Sequence, residues 1–125
     1  MVYFGIIIKQ SLKNPGILED FSIVAQKQIG SLNFLLVLAY EDEIENQIKK
    51  LQENMVPIKE GCWYNYFFMN ETLIVVYQDV TIITSTNPEE WEEVIRYGTR
   101  HGIPINQLGF NPCTKDEAFE FFDLE

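Results

Sequence analysis

Hydrophobic and polar positions follow one another in blocks along this chain, and the first forty residues contain two nearly uninterrupted apolar blocks. Residues 2–10 include Ile6, Ile7 and Ile8 in a row, and residues 32–40 form the second block. Continuous apolar runs of this length indicate strands that are covered on both faces. The sequence therefore predicts two buried strands near the start of the chain.

The segment between these two strands has the pattern of a helix. Asn14-Pro15 resembles an N-cap followed by proline at the first helical position, and Gly30 supplies a stop. The apolar positions between them recur at helical spacing, at Ile17, Phe21, Val24, Ala25 and Ile29. A helix between two buried strands is what a right-handed parallel crossover requires, so the chain is predicted to open as a βαβ unit.

The middle of the chain predicts one helix and then three strands. Asp42 and Glu45 form a D-x-x-E capping box, and apolar residues follow at helical spacing from Ile44 to Met55. Residues 62–69 alternate as an aromatic-rich strand, and residues 72–77 and 80–85 are predicted as two further strands. The three strands form a meander with turns at 70–71 and 78–79.

Two helices are predicted to close the chain. Asn87-Pro88 repeats the earlier cap pattern before a helix that ends near Gly102, and Gly98 on its apolar face indicates a close approach to the sheet. Thr114 and Glu117 are placed to cap a short last helix. The predicted order is βαβαβββαα: a mixed sheet of about five strands with helices packed on it, in an α/β or α+β fold.

Composition indicates one domain and limits the partners. The chain has 125 residues, of which 46% are hydrophobic and 22% charged, so residues 1–125 are expected to form a single globular domain with frayed C-terminal residues. The formal net charge of -10 disfavours nucleic acids and anionic membranes and favours a basic partner. The apolar segment 1–8 is too short for a targeting segment, because Lys9 follows it directly. The apolar run 34–40 is shorter than the roughly 20 residues that cross a bilayer. We expect a soluble, cytoplasmic protein.

Candidate chemistry is sparse. His101 is the single histidine, and Cys62 and Cys113 lie outside any C-x-x-C pair. No metal-binding, nucleotide-binding or nucleophile motif is present, so we expect no metal, no cofactor and no catalytic residue. We expect both cysteines to be reduced thiols, and one disulfide between them is the alternative. The sequence favours a protein that is not an enzyme.

The leading hypothesis is a small acidic interaction domain, such as an inhibitor or immunity-type protein that neutralises a basic partner. Its acidic surface would steer association, and aromatic residues would hold the complex. Acids at helix starts are also favoured by the helix dipole and by solubility, so a purely structural role stays open. The candidate surface consists of Glu71, Asp79, Glu89, Glu90, Glu92 and Glu93.

Two other hypotheses concern the aromatic residues. The chain has two tryptophans, six tyrosines and nine phenylalanines, and several of them fall in residues 62–69. An apolar pocket between this strand and the last predicted helix would make the protein a small-ligand binder or a minor enzyme. Self-association through a sheet edge or an aromatic face is the third hypothesis. The pocket would use the polar groups of Tyr64, Tyr66, Tyr97 and His101.

Overall fold

A computed structural model describes residues 1–124 and shows a single α+β domain built on a six-stranded antiparallel sheet. Short 3-10 turns connect several elements, and three α-helices pack on the sheet. The strands are β1 (Val2–Ile8), β2 (Ser22–Ile29), β3 (Leu32–Tyr40), β4 (Tyr64–Met69), β5 (Thr72–Tyr77) and β6 (Thr81–Ser85). The helices are α1 (Ile44–Glu53), α2 (Glu92–Arg100) and α3 (Lys115–Phe121).

The strand order across the sheet is β2-β3-β1-β4-β5-β6, and every neighbouring pair is antiparallel. The two apolar blocks of the sequence pair with each other, from Val2 opposite Tyr40 to Ile8 opposite Phe34. The predicted parallel βαβ opening is therefore wrong, and the sheet has one strand more than expected. The meander of β4, β5 and β6 is confirmed.

The error arises in the segment predicted as the first helix. Asn14 does accept a hydrogen bond from the Gly16 N–H, but it caps only a 3-10 helix, Pro15–Asp20. The chain then becomes β2, which forms a hairpin with β3. Gly30, with φ of 60°, takes the first central position of this turn, where positive φ is needed in a type II′ hairpin. Gly30, which the pattern predicts as the end of a helix, thus lies in a hairpin turn.

One face of the sheet is covered by α1 and by the 3-10 segment before β2. The buried stripe of α1, at Ile44, Ile48 and Leu51, packs on this face as predicted. Glu43 is the N-cap of α1 and makes no side-chain capping bond, so the predicted capping box of Asp42 does not form.

The opposite face is covered by α2, α3 and the loop between them. Gly98 meets the sheet closely as predicted, since a Cβ added there would lie 2.8 Å from both Leu108 Cδ2 and the Tyr77 hydroxyl oxygen. Asn87 caps a 3-10 turn, Pro88–Glu90, and α2 begins only after it. Thr114 caps α3 by accepting from the Glu117 N–H, which confirms that prediction.

The aromatic strand β4 is buried on both faces. Tyr66 and Phe68 belong to the core beneath α2 and α3, whereas Phe67 belongs to the core beneath α1. The side chain of Asn65 is also fully buried, and its carbonyl oxygen accepts from the Ile8 N–H at 2.7 Å. A strand covered on both sides explains the apolar character of residues 62–69 without any partner.

The end of the chain packs against α3. The Leu124 N–H donates to the Phe119 carbonyl at 2.7 Å, and the predicted fraying falls in part on Glu125, which lies outside the described residues. Within residues 1–124, no helix has both the length and the apolar character needed to cross a membrane.

Candidate functional site

Most of the predicted acidic surface gathers at one end of the β5–β6 hairpin. The Thr86 N–H donates to the Glu71 carbonyl oxygen at 3.0 Å, which joins the β4–β5 turn to the end of β6. The 3-10 turn with Glu89 and Glu90 follows immediately, and its carbonyl at Glu90 accepts from the Thr84 hydroxyl at 3.0 Å. The first turn of α2 then adds two more carboxylates, Glu92 and Glu93. We call the five residues Glu71, Glu89, Glu90, Glu92 and Glu93 the acidic end.

Asp79 lies apart from the acidic end. It follows β5, whereas Glu71 precedes it, so the length of this strand separates the two residues. Six residues of extended chain span about 20 Å. The Asp79 carboxylate accepts a hydrogen bond from the Tyr97 hydroxyl near the end of α2. The structure therefore places the predicted acids at both ends of β6 rather than in one patch.

Few of these carboxylates are neutralised within the chain. The ion pairs of residues 1–124 are Lys27 with Asp123, Lys50 with Asp20, and Arg96 with Glu92. Glu92 is thus the one member of the acidic end with a cationic partner in the described part of the chain. The other members are exposed to solvent, where they are available to a basic surface.

The predicted aromatic pocket divides into two places. Tyr64 lines a groove on the sheet face beneath the loop that leads to α3, and Tyr66 lines only a smaller cavity that shares Ile8, Phe34 and Tyr64 with it. Tyr97 and His101 instead pack on each other, with ring centroids 4.5 Å apart. The Tyr97 ring also packs on the Tyr77 ring, with centroids 4.6 Å apart. Neither Tyr97 nor His101 lines the groove.

The groove has a volume of about 620 Å³, with a smaller extension of about 190 Å³ along the same face. Its floor is apolar because the adjacent strands β3, β1 and β4 contribute Phe34, Ile8 and Tyr64. Glu60 is the one charged residue among those that line it. Volumes of this size are typical of sites for small organic ligands.

The hydroxyls of Tyr64 and Tyr66 donate hydrogen bonds to the loop between α2 and α3. Tyr64 donates to the Gln107 carbonyl at 2.6 Å, and Tyr66 donates to the Pro112 carbonyl at 2.9 Å. Burial raises the pKa of Tyr64 to about 12 and raises the pKa of Tyr66 well above its ordinary value. Both phenols are therefore neutral hydrogen-bond donors, and the groove presents their rings rather than free hydroxyls.

Both cysteines are thiols, so the disulfide left open by the sequence does not form. Cys62 is half-buried and lines the groove, whereas Cys113 is buried. Burial raises the pKa of each thiol, and the charge of Asp79 adds to the shift at Cys62. A raised pKa disfavours the thiolate, which is the nucleophilic form.

The groove also contains residues that sequence reasoning did not single out. Ile8, Leu32 and Phe34 come from β1 and β3, which are distant in sequence from Tyr64 and become its neighbours only through the sheet order. The alternating pattern of residues 62–69 places Tyr64 and Tyr66 on one face, but the other side of the groove requires the strand pairing.

Comparison of this chain with protein-family models, with curated proteins and with solved structures finds no match. The fold and the side chains themselves therefore carry the functional argument. Within residues 1–124, no group of three or more His, Cys, Asp or Glu residues is placed to hold a metal ion.

Proposed function

We propose that this protein is a cytoplasmic, non-enzymatic interaction domain that recognises a basic partner protein, as an inhibitor or immunity-type protein does. The observation that carries the proposal is the acidic end, where the bond between Thr86 and Glu71 joins two acidic segments of the chain. Among its five carboxylates, only Glu92 has an ion-pair partner in the part of the chain that the structure describes.

Helix capping does not account for this arrangement. The helix dipole favours acids in the first turn of a helix, which applies to Glu92 and Glu93. Glu71 lies in a turn between strands, and Glu89 and Glu90 lie in a single 3-10 turn that Asn87 caps before α2, where few aligned peptide units contribute to a dipole. A local concentration of exposed, unpaired charge raises the association rate with an oppositely charged surface. Recognition of a basic partner explains these three positions better than helix stability does.

The test is capture of partners from the native lysate with matched charge variants. One bait carries Glu71→Gln, Glu89→Gln, Glu90→Gln and Glu93→Gln. The control carries Glu19→Gln, Glu41→Gln, Glu43→Gln and Glu53→Gln, which are exposed acids elsewhere in the chain. Both baits lose four negative charges, so they share one net charge and differ only in its position.

We expect the wild type and the control bait to retain the same basic protein, which elutes as the salt concentration rises. The bait altered at the acidic end should lose it. Equal retention by both variants would show that net charge, rather than this surface, attracts the protein and would refute the proposal.

A second candidate function is binding of a small apolar ligand in the groove beside Tyr64. The groove favours it because its volume is about 620 Å³ and its floor is aromatic and aliphatic. Glu60 at its margin would suit a ligand with a basic group. Native mass spectrometry of the purified protein and a thermal-shift screen with apolar amines test this candidate, since a bound ligand raises the melting temperature. An unliganded mass and no shift for any amine would count against it.

A further inference from the structure

We propose that the outer edge of β6 binds an extended segment of the basic partner as an additional strand of the sheet. This inference rests on the proposed function and specifies how the partner is held. The occupant is a strand with an uncharged, β-branched centre and basic residues at both ends.

The hydrogen bonds at the two ends of the β5–β6 ladder fix which backbone groups face outward. The Tyr77 N–H donates to the Val80 carbonyl at 2.9 Å, and the Thr86 N–H donates to the Glu71 carbonyl at 3.0 Å. Both pairs continue the register in which Ile74 lies opposite Ile83. Hydrogen-bonded and non-hydrogen-bonded pairs alternate in an antiparallel ladder, so residues 80, 82, 84 and 86 bond to β5. The backbone groups of Thr81, Ile83 and Ser85 therefore point away from the sheet.

Most of these outward groups have no partner in the described part of the chain. The Ser85 carbonyl accepts from the Trp91 indole N–H at 2.8 Å. The N–H and carbonyl of Thr81 and of Ile83, and the N–H of Ser85, remain unbonded among residues 1–124. A row of unpaired backbone groups is a template for another strand.

The other edge of the sheet is protected, whereas β6 is covered, by the residues that the structure describes, only at the Ser85 carbonyl. β2 has a register shift between Ile23 and Ala25, and its Lys27 side chain bonds to the Phe121 carbonyl at 2.8 Å. Bulges and lysines are the devices that natural edge strands use against unwanted pairing. β6 has the sequence TIITS, with no charge, no proline and no bulge. The contrast singles out β6 as the edge that is open to a partner.

A second, independent feature lies directly beside this edge. A groove of about 390 Å³ lies between α1 and β6, beside the hydrogen bond that the Gln52 side chain donates to the Thr81 hydroxyl. Its lining is largely aliphatic, with the charged residues Glu45 and Lys49 on the α1 side; the aliphatic members are Ile44, Ile48, Ile74 and Ile83. Ile83 is 69% exposed, so the groove is not filled by the chain itself. Side chains alternate between the two faces of a strand, and the one next to Ile83 on the α1 side would enter this groove. The groove selects an aliphatic side chain at the centre of the added strand.

The charges at the two ends of β6 decide what kind of strand is bound. Asp79 lies at one end, and Glu71, Glu89 and Glu90 lie at the other. Two copies of this chain paired through β6, in either direction, would place acid against acid, which disfavours self-association. A strand with lysine or arginine at both ends complements this edge.

The test uses fluorescent peptides with the wild-type protein. The probe has a Thr-Ile-Thr-Ile-Thr centre and two lysines at each end. Two further peptides carry N-methyl groups on alternate backbone amides, one on each of the two alternating sets. When the peptide pairs with β6, only one of the two sets of amides faces the edge. Methylation of that set blocks the hydrogen bonds, and methylation of the other set does not. A fourth peptide keeps the lysines and has prolines in its centre.

Fluorescence anisotropy should show binding of the probe, and one of the two methylated peptides should bind at least about tenfold more weakly while the other binds as well as the probe. Hydrogen exchange should slow at the Thr81 and Ile83 amides when the probe is bound. The variant Ile83→Pro, which removes an outward N–H and no bond to β5, should weaken binding of the probe similarly.

Several results would overturn the inference. If the proline-centred peptide binds as well as the probe, the acidic residues recognise charge without strand addition, and the proposed function stands while this inference fails. Equal affinities of the two methylated peptides, or no binding of the probe, would also reject pairing at β6. Because the methylated peptides are tested on unaltered protein, this conclusion does not depend on the folding of Ile83→Pro.

Discussion

The backbone N–H of Thr86 donates to the carbonyl oxygen of Glu71 at 3.0 Å, and this single bond joins the β4–β5 turn to the segment that leads into α2. Glu71 is separated from Glu89 by strands β5 and β6 in sequence, yet both belong to the same end of the sheet. The concentration of charge proposed as the recognition surface is thus a consequence of the meander. It could not arise from either acidic segment alone.

Asn65 is predicted to be essential for stability rather than for binding. Its side chain is fully buried, accepts from the Ile8 N–H at 2.7 Å and donates to the Ser11 hydroxyl at 2.9 Å. Asn65→Ala leaves the Ile8 N–H without an acceptor and removes the donor to the Ser11 hydroxyl, which still donates to the Ile8 carbonyl. We therefore expect a loss of about 2 kcal/mol in the free energy of unfolding, measured by urea denaturation. The control Asn46→Ala, at an exposed position of α1, should change it little. Equal stability of the two variants would contradict the role given to the buried amide.

Gly98 is predicted to tolerate no side chain. The Cβ of an alanine would lie 2.8 Å from the Tyr77 hydroxyl oxygen, which itself donates to the Val94 carbonyl at 2.7 Å. Alanine favours a helix by about 1 kcal/mol over glycine, but overpacking costs about 1–3 kcal/mol, so we expect Gly98→Ala to lower the melting temperature. Thr99→Ala, at an exposed position of the same helix, is the matched control. A more stable Gly98→Ala variant would show that α2 can move away from the sheet.

The protein is predicted to lose stability at high pH because of its buried tyrosines. Burial raises the pKa of Tyr64 to about 12 from the ordinary value of 10. Above pH 10 the phenol ionises in the unfolded chain but keeps its proton in the folded one. The unfolded state then binds fewer protons, so the free energy of unfolding falls as the pH rises from 10 towards 12.

Urea denaturation at a series of alkaline pH values measures this loss, and the ultraviolet absorbance of tyrosinate reports the ionisation directly. Tyr64→Phe should remove one late-titrating phenol and reduce the slope of stability against pH. If the absorbance of the folded protein shows all tyrosines titrating near pH 10, the burial of Tyr64 described above is wrong.

The two cysteines are predicted to react at different rates with a thiol reagent. Cys62 is half-buried at the groove, whereas Cys113 is 6% exposed and its reaction requires opening of the core. We expect one thiol to be modified in the folded protein and the second only on unfolding. Cys62→Ser should abolish the first reaction, and Cys113→Ser should leave it. A ligand that occupies the groove should also slow the modification of Cys62.

Local patterns in the sequence predicted the parts of the fold in which neighbouring elements pack on each other. The β4–β6 meander, the buried stripe of α1 and the close approach of Gly98 all follow from alternation or helical spacing. The pattern gave a wrong prediction at β2, which is an edge strand. Its apolar residues Ile23, Val24 and Ile29 are exposed, so their spacing does not mark a face that packs on the core. Their spacing matched a helix by coincidence.

The candidate site was less accessible to sequence reasoning than the fold. The acidic residues were visible as clusters, but their division between the two ends of β6 depends on which strands pair. The open edge at Thr81 and Ile83 depends on the phase of the ladder hydrogen bonds, which is a property of the register rather than of residue type.

The most direct test of the proposed recognition surface is the rate at which the captured basic partner associates with the protein, measured at several ionic strengths. Wild type and the control variant at Glu19, Glu41, Glu43 and Glu53 should associate rapidly at low salt, with a steep decline as salt is added. The variant at Glu71, Glu89, Glu90 and Glu93 should associate slowly and depend little on salt, because electrostatic steering is lost. Identical rates and salt dependence for the two variants would contradict recognition through the acidic end.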